Sequence, residues 1–285
     1  MNSRSTYPPA VLDAMFEAVE MDDVVDPVVS LPNPIPVSCT QEEMHRCLEL
    51  CVQFWRAGAI RADLRELTTT LLHTGDLPQD ARARYKHIRA RYKHLRFALV
   101  LYGKRHKAPL LFRSTVAVMG HLQDAFRNRQ WAGVLGYALL LRGLLIWPVW
   151  AAVQREVDAV RLDNAADFLA YRRAEFARLK SWVQGKSLTG HRFHAMRKVV
   201  SRQVSFYDTM RTLEPDDQVY RMSRFLSAIN GLMGSLHDDL VEQASAGHRD
   251  YHKDDFPLPE DIRCRLEALT ARYPMMEADR SATAS

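Results

Sequence analysis

Residues 82–96 read RARYKHIRARYKHLR, one seven-residue phrase written twice and begun a third time. A period of seven commits a segment to helix, because about 3.6 residues per turn bring every third and fourth residue back to one stripe. Tyr85, Ile88, Tyr92, Leu95, Leu99 and Tyr102 fall on that stripe and are predicted to face a core. Arg82, Lys86, Arg89, Lys93 and Arg96 make a row along one flank, and Arg84, His87, Arg91 and His94 a row along the other. Like charges one turn apart cost an exposed helix a few tenths of a kcal/mol per pair. An ordinary solvated face, the alternative, gains little by excluding acids. We therefore expect a helix buried along one stripe that offers its cations to a polyanion.

The rest of the chain also carries helical spacing. Predicted helices lie near 41–73, 79–103, 109–130, 133–153, 155–183, 188–213, 216–246 and 258–272, the first opened by Thr40 with Glu43 three residues on. No segment sustains strand alternation, so the expected fold class is all-α. With 285 residues, 47% hydrophobic and 26% charged, the chain can bury one large helical core or two smaller ones. The net charge of +5 is modest, so the local density of cations carries the argument.

Several classes are set aside. Cys39, Cys47, Cys51 and Cys264 form no CxxC pair and read as free thiols, with no metal site expected. The N-terminus lacks an apolar signal core, which makes a cytoplasmic location the expectation. Trp131–Val153 is long enough to span a bilayer but contains Arg142 and Pro148. It reads as a buried core helix or an apolar attachment surface, not as a transmembrane segment. Residues 1–39 are Pro-rich and read as an arm outside the core, with a short acidic helix over Val11–Val25. Its acidic run, Asp13 to Asp26, carries charge opposite to the basic face and could lie against it as an internal competitor. Residues 274–285 read as a disordered tail.

A second basic helix follows about one hundred residues later, in GHRFHAMRKVVSRQVSFYDTM, 190–210. His191, His194, Arg197, Lys198 and Arg202 gather on one face, opposite Phe193, Met196, Val200, Val204 and Tyr207. Each basic helix precedes an apolar partner: FRSTVAVMGHLQDAF over 112–126 and YRMSRFLSAINGLMGSLHDDLVEQ over 220–243. With LQDAF and INGLM in matching places, the pattern suggests two copies of a helical bundle.

These residues resemble the conserved-histidine α-helical domain (CHAD) family. His194, Arg197 and Arg202, with Lys198, match its basic phrase, and Ile229–Asp238 its L-Q-x-x-L-G-x-x-N/H-D companion. Arg89, Lys93, His94 and Arg96 match in the earlier copy, where Lys86 stands at the family's first histidine and His87 one place late. The resemblance covers roughly 77–270, within a CHAD-like domain of 40–273 whose repeats run about 77–153 and 187–270. It implies two helical bundles in a pseudo-twofold duplicated domain with a basic central groove, binding inorganic polyphosphate without catalysis, in some members at storage granules. The binding set so implied is Lys86, His87, Arg89, Lys93, His94, Arg96, His191, His194, Arg197, Lys198 and Arg202. No cofactor or catalytic residue is expected. Two alternatives stay open: a nucleic-acid-binding protein with Tyr85 and Tyr92 stacking on bases, and a helical interaction module on a granule or membrane surface. A metal-dependent phosphohydrolase, using SLHDDL (235–240) with His194, is the weakest reading.

Overall fold

The computed structural model describes residues 6–275, except the side chain of Ser245, and the predicted tail lies almost wholly outside them. Among the described residues there are eleven α-helices and one antiparallel pair of two-residue strands, so the architecture is all-α.

Three predicted helices are broken where the local chemistry demands it. Residues 41–73 form α2 (Gln41–Gly58) and α3 (Arg61–Thr74), parted by an extended Ile60. Gly58 ends α2 where the Arg91 guanidinium crosses so closely that a Cβ would collide with it. The apolar run 133–153 forms α6 (Trp131–Leu144) and α7 (Trp147–Asp158), bent by 71°. Pro148 lies in the first turn of α7, where the missing N–H costs nothing, so the break precedes it. No single helix among the described residues is long and apolar enough to cross a membrane. Residues 155–183 end α7 at Asp158 and resume as α8 (Ala165–Val183), with an isolated bridge from Leu162 to Gly103 between them.

The chain divides into two compact units, and the first of the three boundaries falls within α1 (Pro9–Glu20). The first comprises residues up to Met15 and Gln41–Asn164. Its centre is α4 (Gln79–Leu101), packed between α2 and α5 (Leu110–Arg127), with α3 and α7 completing the bundle around α5 and α6. All six residues of the predicted stripe are buried. Trp55 of α2 meets Tyr92 and Phe112 edge-on, with ring centres 5.6 and 5.5 Å apart, and Tyr85 donates its hydroxyl to the Met119 carbonyl at 2.9 Å. Aromatic contacts of that kind add about 0.5–1.5 kcal/mol beyond area burial.

The second unit comprises Phe16–Thr40 and everything from Ala165. Here α9 (Gly190–Leu213) lies along α10 (Asp217–Ser245), with α8 and α11 (Glu260–Arg272) closing the bundle. Phe193, Met196, Val200, Val204 and Tyr207 are all buried, as the spacing predicts. Strand β1 (Leu188–Thr189) pairs with β2 (Asp255–Phe256), Leu188 opposite Phe256, and Thr189 then caps α9 by accepting from the Arg192 amide. At the heart of the unit Arg172 is fully buried. It donates to Gln203 Oε1, the Tyr207 hydroxyl and the Val37 carbonyl at 3.0–3.3 Å, with its guanidinium 3.8 Å from the centre of the Phe206 ring.

The expectation of an arm outside the core is corrected. Tyr7 exchanges hydrogen bonds with the Gln53 side chain of α2 at 2.8 Å in both directions, and Met15 is fully buried. Ala18, Val19, Leu31 and Ile35 are core residues too. Residues 21–24 run across α10 through their carbonyls. Arg224 donates to Met21 and Val24, and Asn230 to Asp22 at 2.7 Å. Further on, Pro36 and Val37 supply their carbonyls to Tyr207 and Arg172, because non-helical backbone leaves its carbonyls open to such donors.

Candidate anion-binding sites

In the first unit the cations of α4 sort into two groups. Of the second predicted row only Arg84 is exposed; His87 and Arg91 are partly buried and His94 is buried. Arg84 pairs with Glu66 at 2.6 Å, and Arg91 stacks 4.2 Å from the Phe54 ring while donating to the Phe54 carbonyl. His94 is 5% exposed, edge-on to Phe54 at 6.0 Å. Burial, then the neighbouring Lys93, pushes its imidazole down to about 3, so it sits neutral in the core instead of meeting a ligand. In the first row Arg82 pairs with Asp76. Lys86 is exposed; Arg89, Lys93 and Arg96 are partly buried, with the Lys93 ammonium 5.8 Å from the Phe97 ring.

Arg89 crosses to α5 over Gly120, where a Cβ would stand 3.3 Å from its Nη2. Its Nε is buried without a hydrogen bond, as is Gln123 Oε1 one turn beyond Gly120. A buried polar atom left unmet costs about 1–3 kcal/mol unless an outside group meets it. This corner of α4 and α5 is therefore built from donors and unmet polar atoms.

The second unit carries a similar corner on α9 and α10. Arg197 crosses over Gly234, where a Cβ would stand 3.1 Å from its Nη2. One turn before Arg197, His194 faces His237 of α10, ring centres 5.2 Å apart, and the buried His194 Nδ1 makes no hydrogen bond. Burial first, then Lys198, His237, Arg197 and His191, push the His194 imidazole down to about 4. Every charged group in that set is a cation or can become one. Lys198 and His191 are exposed at the rim. Tyr251 closes the far side, edge-on to His237 at 6.1 Å, against a Gly190 that leaves no space for a side chain.

Arg202 does not join this corner. Both its Nε and Nη2 are taken by the buried carboxylate of Glu175 on α8, a bidentate pair that ties α8 to α9. Ile229–Leu232 also serves another purpose. Asn230 relays Ser201 of α9 to the Asp22 carbonyl, and Gly231 lets that segment pass so closely that a Cβ would strike the Asp23 oxygen.

These contacts set a register that LQDAF against INGLM does not. The arginine-over-glycine crossing aligns Met119-Gly120-His121-Leu122-Gln123-Asp124 with Met233-Gly234-Ser235-Leu236-His237-Asp238. The shared phrase M-G-x-L-x-D is visible in the sequence and was the signal to follow. In that register Lys86 answers to His194 and Gln123 to His237.

Tyr85 and Tyr92 are fully buried and offer no face to a base. His237 Nδ1 lies 3.6 Å from Asp238 Oδ1, but among the described residues no group of three or more His, Cys, Asp or Glu side chains is placed to hold a metal. No protein-family model matches the chain, and comparison with curated proteins and with solved structures found no match.

Proposed function

We propose that this is a non-catalytic polyanion-binding protein that meets its ligand at the α4–α5 and α9–α10 corners. The ligand that fits best is inorganic polyphosphate. The observation that carries this reading is the recurrence, in each unit, of an arginine laid over a glycine beside a lysine and an unmet buried polar atom. A linear phosphate polymer presents closely spaced oxygens, which Arg, Lys and protonated His meet with charge-assisted hydrogen bonds and no need for base readout. The recurring M-G-x-L-x-D phrase supports a duplicated domain, and with it the kinship to the CHAD family. A polyphosphate store inside the cell is the setting this implies.

The test is binding to long-chain polyphosphate, single-stranded DNA and RNA at one ionic strength. Polyphosphate should bind tightest. Charge reversal at Lys86, Arg89, Arg197 and Lys198 should weaken it by roughly 100-fold or more, since hydrogen bonds to charged groups are worth about 1.5–3 kcal/mol each. Equal affinity for nucleic acid, or no effect of the four changes, would overturn the proposal.

A further inference from the structure

Helix α6 buries Val134, Ala138 and Leu141 and turns its other side to solvent. Trp131, Leu135, Leu139, Leu140, Ile146 and Trp147 are all exposed, Trp147 by 67% and Leu139 by 54%. Around this face the charge is mostly of one sign, the acid beside it being Asp76, which pairs with Arg82 and faces Arg129. Residues 125–155 contain no Asp or Glu, but Arg127 and Arg129 precede α6, Arg142 lies on it and Arg155 follows in α7. Arg142 reaches Thr69 Oγ1 at 2.5 Å, and Arg61 of α3 packs 6.0 Å from the Trp147 ring. The acids of α3, Asp63 and Glu66, lie beside Arg84 instead.

We propose that this face docks on an anionic lipid surface, lying in it without crossing. Leucines with a tryptophan at each end suit the boundary between headgroups and acyl chains, and a rim richer in arginine than in acids suits anionic headgroups. At about 1.5 Å per residue α6 is about 21 Å long, short of a hydrocarbon core of about 30 Å, and the 71° bend after it prevents a continuous span. A second copy of the chain fits less well. A twofold contact sets the same patch against itself, and this rim would then face arginine with arginine. The inference is independent of the polyphosphate reading, because it uses different residues.

The experiment is co-sedimentation of the full chain with vesicles of phosphatidylcholine alone, or with about a third of the lipid as phosphatidylglycerol. The intact protein should partition at least about tenfold more strongly onto the phosphatidylglycerol vesicles, with a blue shift in tryptophan emission. The double variant L139E/W147E, changed only at exposed positions, should lose the partitioning while keeping its helical circular dichroism and its polyphosphate affinity. Charge reversal at Lys86, Arg89, Arg197 and Lys198 should do the opposite, sparing vesicle binding. Vesicle binding that depends on those four cations and ignores L139E/W147E overturns the proposal, as does no binding to either vesicle. A concentration-dependent dimer that L139E/W147E dissolves would give the face to a second copy and overturn it as well.

Discussion

Arginine plays several parts in this chain, and the groups each guanidinium meets separate them. Arg172 is a buried cation held by neutral acceptors and ring faces, Arg202 is neutralised by Glu175, and Arg89 and Arg197 reach over glycines toward unmet polar atoms. Histidine divides in the same way, with His94 locked in a core and His194 at the rim of a cationic corner. A free imidazole titrates near 6.5, and His194 in the folded protein is held down to about 4. Between those values the unfolded chain binds the proton and the folded one does not, so His194 costs stability as pH falls through that window. A bound anion raises the imidazole again, and binding then takes up a proton. Polyphosphate affinity should therefore rise as pH falls from about 7 to about 5, and H194Q should flatten that slope while leaving the affinity at about pH 7 within roughly twofold. Binding isotherms at the two pH values, with proton uptake read by calorimetry in two buffers, check this. A slope unchanged in H194Q would exclude His194 as its source.

At the scale of the helix, two glycines three residues apart on α10 do different work. Gly231 admits the backbone of residues 22–24, whereas Gly234 admits the flexible end of Arg197. G231A forces a methyl group into a backbone oxygen that cannot step aside without dragging Asn230 and Arg224 off their carbonyls. It should cost about 1–3 kcal/mol, as overpacking of a well-filled site does. G234A should cost much less stability, because the guanidinium can move, and should instead weaken polyanion binding. Urea midpoints and binding measured on both variants separate the two roles. Equal destabilisation by both changes would mean that Arg197 is as fixed as backbone.

Across the molecule, the N-terminal segment decides more than its composition suggests. Its residues are divided between the two units, with Tyr7 fastened to α2 in one and residues 21–24 to α10 in the other. Removing residues 1–38 should therefore lower the thermal unfolding temperature and expose apolar surface to dye, because Met15, Ala18, Val19, Leu31 and Ile35 leave the core. A truncated chain of unchanged stability and raised polyanion affinity would restore the expectation of a detachable acidic competitor.

Much of this was legible in the residues themselves. Heptad spacing placed Tyr85 to Tyr102 and Phe193 to Tyr207 in cores, because burial of a helical stripe follows from about 3.6 residues per turn and needs no partner to be named. The same reading gave the all-α class. It could not tell an unpaired surface cation from one that meets Glu66, Glu175 or an aromatic ring, since those partners lie 18 or 27 residues away, or are aromatic faces that any helix can carry. Nor could it show that a proline-rich segment would supply carbonyls to Arg224 and Asn230, because a backbone oxygen has no signature in sequence. Periodicity is local and was fixed by the chain alone; the pairing of charges and the seating of non-helical backbone are contacts at a distance, and only the tertiary structure decided them.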